Sequence, residues 1–343
     1  MNLRFPKTAA HAAGRFRKGY LPETKRVIGT SEHTGVPYIL ADNFGRPVTN
    51  IRISMTKKCN LACPFCHQEG DIREHQTEMT PFEIQKVVST AAALGVDKVK
   101  LTGGEPLVRK DVVEIVSLIH AVPGISNIGI TTNGILLGEL AEPLRISGLD
   151  RVNISLGTVK RDTYREMTGV DSLETVLKSV SEAARVGFKP VKLNMVVLKG
   201  VNDDQVWEML EYSRMNSLVL QLIEVESDSS DGEYYRLFHR DFKDIERELE
   251  GRAEKIVVRD MQHRRKFFLK GGGEVEVVQP MHNTEFCGHC NRMRLTSDGK
   301  LKPCLFRSDN LVDILTPLRE GAPEDELKAV FKRAVELKKP YFM

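Results

Sequence analysis

Six short apolar, β-branched runs, spaced by amphipathic stretches, constrain this chain more than any other feature. They are "NIRISMT" from residue 50, "KVKLTGGE" from 98, "NIGITTNG" from 127, "RVNISLG" from 151, "KLNMVVLKG" from 192 and "LVLQLIEVE" from 218. Each has strand length and ends in polar or glycine residues. Between the first two lies "TPFEIQKVVSTAAALG", where Thr80 and Glu83 form a capping box, Pro81 opens the first turn and Gly95 follows as a stop. "RKDVVEIVSLIHAVPG", "SLETVLKSVSEAARVG" and "NDDQVWEMLEYSRM" repeat the helical pattern. Strand, helix, strand alternation means βαβ units and a parallel sheet covered by helices. The expected fold class is α/β, either a partial (β/α) barrel or a doubly wound sheet.

Length agrees: 343 residues suit one large barrel or two domains. Hydrophobic residues at 41%, charged residues at 28% and a formal net charge of +3 describe an ordinary, mildly basic globular chain, which gives no argument for nucleic acid. No apolar run approaches the ~18 residues of a membrane span, so no membrane partner is expected. The first twenty-two residues carry Arg4, Lys7, Arg15, Arg17 and Lys18 with no acidic residue. That bias fits a basic extension, or a transit peptide, although the Ser-richness and apolar face of the latter are missing. Cytoplasmic location is expected, with mitochondrial import as the lesser alternative. Six cysteines in such a chain read as metal ligands or catalytic groups before disulfides.

In either α/β arrangement ligands bind at the carboxyl ends of the strands. Those ends are polar here: Gly103, Gly104 and Glu105, then Thr131, Thr132 and Asn133, then Ser155, with Lys192 and Asn194 on strand five. The loop after strand one holds Cys59, Cys63 and Cys66 as Cys-x3-Cys-x2-Cys. Three thiolates could hold three irons of a [4Fe-4S] cluster and leave the fourth iron open for a small chelating ligand. Zinc, completed by His67 or another side chain, is the alternative. Far along the chain, Cys287, Cys290 and Cys304 repeat the motif as Cys-x2-Cys-x13-Cys. A zinc ribbon would want a further ligand, and His289 is poorly placed to supply it, so a second open [4Fe-4S] cluster fits better.

Cys59-x3-Cys63-x2-Cys66, with Phe65 before the last cysteine, resembles the signature of the radical SAM superfamily, and "TGGEP" at 102–106 resembles its segment for the methionyl amine of S-adenosylmethionine (SAM). "DNFGRPVTNIRIS" from 42 and "CNRMRLTSDGKLKPCLF" from 290 are similar to the GTP 3',8-cyclase family within it, which opens molybdenum cofactor biosynthesis. The resemblance spans about residues 42–307. It implies a partial (β/α)6 TIM-type barrel, with a basic extension over 1–41, a core over 42–240, and an auxiliary-cluster region over 241–343 closing the barrel. It further implies a lyase that converts GTP to (8S)-3',8-cyclo-7,8-dihydroguanosine 5'-triphosphate with two [4Fe-4S] clusters and SAM.

By the same resemblance, Phe65, Gly104 and Ser155 contact SAM, while Arg52, Lys100, Thr131, Lys192, Arg292 and Arg294 contact GTP. The first triad, Cys59, Cys63 and Cys66, holds the cluster that binds SAM. Gly103 and Gly104 are expected to let backbone carbonyls approach the ligand closely. Arginine grips phosphate oxygens in pairs, whereas lysine supplies a point charge. The family's patterns depart here at Glu226, where bacterial members place a methionine near the adenine, at Lys100, where many have arginine, and at the end "KPYFM", which lacks their Gly-Gly tail. Implied partners are GTP, an electron donor protein and a downstream cyclic pyranopterin monophosphate synthase; a homodimer is compatible with the sequence. Another radical SAM enzyme with an auxiliary cluster, acting on a peptide or other substrate, is the alternative.

Overall fold

The computed structural model describes residues 40–71, 73, 77–227 and 232–341, so the basic N-terminal stretch lies outside the described residues. All six expected strands form: β1 (Asn50–Ser54), β2 (Lys98–Thr102), β3 (Asn127–Thr132), β4 (Arg151–Ser155), β5 (Val191–Val197) and β6 (Val219–Glu224). Helices α1 (Pro81–Ala92), α2 (Val112–His120), α3 (Leu137–Ile146), α4 (Arg161–Thr168), α5 (Leu173–Arg185) and α6 (Val206–Met215) lie between them in the chain. Helix α1 starts as its sequence dictates. Thr80 Oγ1 accepts from the Glu83 amide at 3.3 Å, and the Glu83 carboxylate accepts from the Thr80 amide at 2.8 Å.

The six strands pair in sequence order, each parallel to the next. This is the partial (β/α) barrel rather than a doubly wound sheet, whose strand order would reverse at a switch point. The period of two divides each strand between two environments. Ile51 and Ile53 of β1 are fully buried with the core, each contributing ~1.5–3 kcal/mol of apolar transfer, while Arg52 between them lines a cavity. Inside, the barrel is therefore polar, unlike a closed barrel packed with aliphatic layers.

The rest of the chain extends the sheet at both edges. After α7 (Glu233–Phe238) and α8 (Lys243–Arg252) come β7 (Ala253–Val258), β8 (Arg265–Leu269) and β9 (Glu274–Val278), and β9 pairs parallel with β6. A connection over 279–291 carrying α9 (Thr284–Gly288) then crosses to the opposite edge, where β10 (Arg292–Leu295) pairs parallel with β1. Strands β11 (Lys300–Lys302) and β12 (Val312–Asp313) add antiparallel outside β10, and α10 (Leu315–Arg319) and α11 (Glu324–Glu336) follow. One sheet of twelve strands results, ordered β12-β11-β10-β1-β2-β3-β4-β5-β6-β9-β8-β7. Among the described residues no helix is long and apolar enough to cross a membrane.

Candidate active site

A cavity of about 820 Å³ opens inside the curved sheet, and every site residue expected from the sequence lines it. Cys59, Cys63 and Cys66 stand in the loop after β1, with Phe65 beside them. Cys287 comes from α9, Cys290 from the connection just before β10, and Cys304 follows β11. Thus the crossing 279–291 brings Cys287 and Cys290, and the chain after β11 brings Cys304, to the cavity that holds the first triad.

Thiol spacing bears on what each triad could hold. A single tetrahedral zinc with Zn–S of about 2.3 Å needs sulfurs roughly 3.8 Å apart. Among the described residues, the one group of three potential ligands with atoms all within 4.8 Å is His263, Glu285 and His289; neither cysteine triad is that compact. The two imidazoles stack at 3.4 Å with 12° between their planes, so one ion could not lie in both ring planes. A four-iron cluster spreads its thiolates wider than one ion does, so the spacing of neither triad argues against it. Burial first, then the Cys66 and Cys59 thiolates, push the Cys63 thiol up to about 12. A metal centre held there would have to displace protons as it bound. Burial raises Cys290 too, but Lys338 and then Arg292 outweigh it and pull that thiol below its ordinary value.

The "TGGE" segment holds the first cysteine loop in place. The Gly104 amide donates to Thr56 O at 2.7 Å and the Glu105 amide to Lys58 O at 2.8 Å. A Cβ on Gly103 would meet Thr56 O at 2.4 Å, and one on Gly104 would meet Lys58 O at 2.3 Å. Both glycines are therefore required by the chain leading into the cysteines, a reason that ligand approach alone did not supply. The Glu105 carboxylate is buried and accepts from Leu107 N at 3.0 Å, Thr132 Oγ1 at 2.7 Å and Asn133 N at 2.6 Å. It fastens the end of β3 to the end of β2. Asn133 in turn donates to Asn60 Oδ1 at 2.7 Å, within the cysteine loop.

The inward faces of the strands carry cations, and two of them, Arg292 and Arg294, lie close to thiols of the second triad. Arg52, Lys100, Arg151, Lys192, Arg292 and Arg294 come from β1, β2, β4, β5 and β10, and Arg259 and Arg264 from the turn between β7 and β8. Register places Arg52 beside both Lys100 and Arg294. Lys100 Nζ donates to Ile130 O at 2.6 Å and Asn153 Oδ1 at 2.5 Å. Asn153 passes on to Asn194 at 3.1 Å and Gln221 at 3.0 Å, a polar rung across five strands, β2 to β6. Burial, followed by repulsion from Arg151 and Arg52, pulls Lys100 well below its ordinary value. Burial brings Lys192 to about 8 despite its ion pair with Glu276. Burial and neighbouring arginines likewise depress Arg292.

Such repulsion marks a floor built for an anion. Arg52 Nε, Thr131 Oγ1 and Arg264 Nε are buried there without hydrogen-bond partners. Orphaned donors of this kind fit phosphate oxygens better than they fit an apolar filling. Sequence reasoning missed Arg151, Asn153, Arg259, Arg264, Glu69 and Glu276. The first two share the inward parity of Ser155 on β4, a signal that was there to be read. Glu226, which stands where bacterial members place a methionine near the adenine, has its carboxylate 3.5 Å from His67 Nε2 of the first cysteine loop.

Comparison with known proteins agrees with this geometry. Residues 53–213 match the family model of the Radical SAM superfamily, and 218–343 match that described as Molybdenum Cofactor Synthesis C. A protein of Pyrococcus abyssi described as "Probable GTP 3',8-cyclase" is 50% identical over 309 residues, which are 89% of this chain and 100% of the relative. This chain belongs to the GTP 3',8-cyclase family. Members with the same description in Pyrococcus horikoshii and Methanothermobacter marburgensis are 48% and 47% identical, with 98% of each covered. As a radical SAM enzyme, a GTP 3',8-cyclase family member works with SAM and an iron–sulfur cluster. The fold is shared with Streptococcus suis SuiB bound to SAM, at a TM-score of 0.61 and 19% identity over 83% of this chain and 68% of that one.

Proposed function

We propose that the chain is a GTP 3',8-cyclase, converting GTP to (8S)-3',8-cyclo-7,8-dihydroguanosine 5'-triphosphate as the first step of molybdenum cofactor biosynthesis. The observation that carries this reading is one cavity lined both by two cysteine triads and by cations from β1, β2, β4, β5 and β10. In this reading Cys59, Cys63 and Cys66 hold one [4Fe-4S] cluster, and Cys287, Cys290 and Cys304 hold a second. With SAM and one electron from a donor protein, a cluster held by Cys59, Cys63 and Cys66 would supply the radical chemistry that takes hydrogen from ribose C3'.

The chain's own residues bind, orient and shield. Arg52, Lys100, Lys192, Arg292 and Arg294 neutralise the triphosphate, and Thr131 offers its unpartnered hydroxyl. Phe65, Gly104 and Ser155 are assigned to SAM; Phe65 packs on a small apolar cluster of Met167, Leu198, Val225 and Met281 that excludes water there. Fixing both reactants is what keeps a reactive carbon radical from abstracting the wrong hydrogen. A peptide substrate would leave the cationic floor without a counter-charge. The reading includes a cytoplasmic setting, an electron donor protein, a downstream cyclic pyranopterin monophosphate synthase, and a division into an N-terminal extension, a core from 42 and an auxiliary region from 241.

Anaerobically reconstituted protein given SAM, dithionite and GTP is expected to yield 5'-deoxyadenosine and a cyclised guanine nucleotide. Deoxyadenosine formed equally without GTP, and no cyclised product, would reject the substrate. Arg292→Ala is expected to lower GTP turnover while the iron held by the first triad stays at its wild-type level.

A further inference from the structure

Two carboxylates touch the cationic floor, and they are held in opposite ways. Glu276 has no exposed surface, projects from the middle of β9, and is fixed by Lys192, by Arg259 at 3.0 Å and by Arg264 at 3.1 Å. Glu69 instead comes from the loop after the first triad, three residues beyond Cys66. Its two oxygens go to different arginines: Oε1 lies 3.3 Å from Arg52 Nη1, and Oε2 lies 2.6 Å from Arg294 Nη1. Those arginines are register partners on β1 and β10, so the carboxylate spans the pair as a phosphoryl group would.

The backbone beneath Glu69 is constrained. Gln68 and Glu69 both lie in the left-handed region, at φ of 48° and 54°, where side chains are disfavoured. Gly70 follows at φ of 66°, and a Cβ there would meet Leu305 O at 1.9 Å. The segment is thus seated against the residue after Cys304, and its placement delivers an acid into the floor.

We propose that Glu69 is a stand-in anion, occupying the Arg52–Arg294 pair and yielding that pair to a phosphate group of the incoming substrate. The proposal rests on the reading of the site as one for a nucleoside triphosphate, and adds which arginines a phosphate must win and from which group. An intramolecular carboxylate competes at high effective concentration. A ligand without phosphate at that pair leaves Glu69 in place; a polyphosphate displaces it. The floor is meanwhile spared the repulsion of two adjacent bare guanidinium groups.

Calorimetric titration of guanosine, GTP and inorganic tripolyphosphate into the reconstituted full chain and into Glu69→Gln tests this. The variant is expected to bind GTP and tripolyphosphate about tenfold more tightly, with guanosine unchanged, a gain within the usual range of coupling between sites. Weaker polyphosphate binding would show that Glu69 holds the arginines in position, and equal or absent changes for GTP and guanosine would show no competition; either overturns the proposal. Should Glu69→Gln fail to take up iron, tripolyphosphate is titrated into the iron-free forms of both proteins, since the cations stand on strands. Tripolyphosphate tightening without any cyclised GTP would reject the substrate and keep the stand-in; cyclisation with unchanged tripolyphosphate binding would reject the stand-in alone.

Discussion

Glu276 is the residue on which the floor's electrostatics turn. Burial works against its charge, yet Arg264, Lys192 and Arg259 outweigh burial and hold the carboxyl well below the ordinary range. Replacing it with Gln leaves the buried Lys192 and Arg264 and the partly exposed Arg259 facing an amide, and breaking a buried pair of this kind costs roughly 3–5 kcal/mol. Urea unfolding of Glu276→Gln is expected to show a loss of that size, and a loss below 1 kcal/mol would mean that water already screens the group. Glu69 behaves alike: burial raises it, but Arg52 and then Arg294 bring it to about 2. A carboxyl depressed on folding contributes stability that is complete above its unfolded value of about 4.5 and drains away as pH falls toward the folded value. Iron-free protein is therefore expected to lose stability between pH 4.5 and 2, with a shallower slope in Glu69→Gln. At this scale much of the site was legible, because Arg52, Lys100, Lys192, Arg292 and Arg294 sit in or beside apolar runs where a cation needs a reason. Arg259, Arg264 and Glu69 sit on connections, and only the folded chain brings them to the floor.

At the scale of elements, the end of β2 and the start of the cysteine loop behave as one unit. Gly104→Ala forces a methyl to within 2.3 Å of Lys58 O and 2.6 Å of Lys57 O, and backbone cannot yield as a flexible side chain would. The expected outcome is loss of the iron bound by Cys59, Cys63 and Cys66, read as total iron and sulfide falling by about half, since the second triad lies on other elements. Gly251→Ala is the matching control. It lies in α8 with nothing within 4 Å of the added carbon, so a gain of about 0.5–1 kcal/mol in unfolding free energy is expected. Strands β1 to β6 and the capped start of α1 were readable because local pattern and tertiary role agree in them. Strands β7 to β12 were not singled out in the sequence. Most are short and charged, such as "KLK" of β11, and depend on the partner strand for their conformation.

Across the whole molecule, the two ends of the described chain meet at the second triad. Arg46, paired with Asp42 at 2.6 Å, donates to Cys287 O at 2.7 Å, to Pro340 O at 3.1 Å and to Lys339 O at 2.7 Å. Lys338 Nζ donates to Cys290 O at 3.0 Å. Ending the chain after Glu336 removes the Lys339 and Pro340 acceptors and the Lys338 donor together. Such a truncation is expected to shed iron from the second triad and retain it at the first, checked by iron and sulfide content beside the spectrum of the remaining cluster; full retention at both would show that the clasp is dispensable. Residues Lys338 to Tyr341 also line the cavity.

Strand order has one more consequence. Strands β9 and β10 are consecutive in the chain but stand at opposite edges of eight parallel strands, with the connection 279–291 as the covalent path between them. A cut in that path would leave two fragments, one ending after β9 and one starting with β10, held by the β1–β10 ladder and the Arg46 clasp. The gene could accordingly be split there into halves that reassemble, each half carrying one cysteine cluster's worth of ligands only if the cut falls ahead of Cys287.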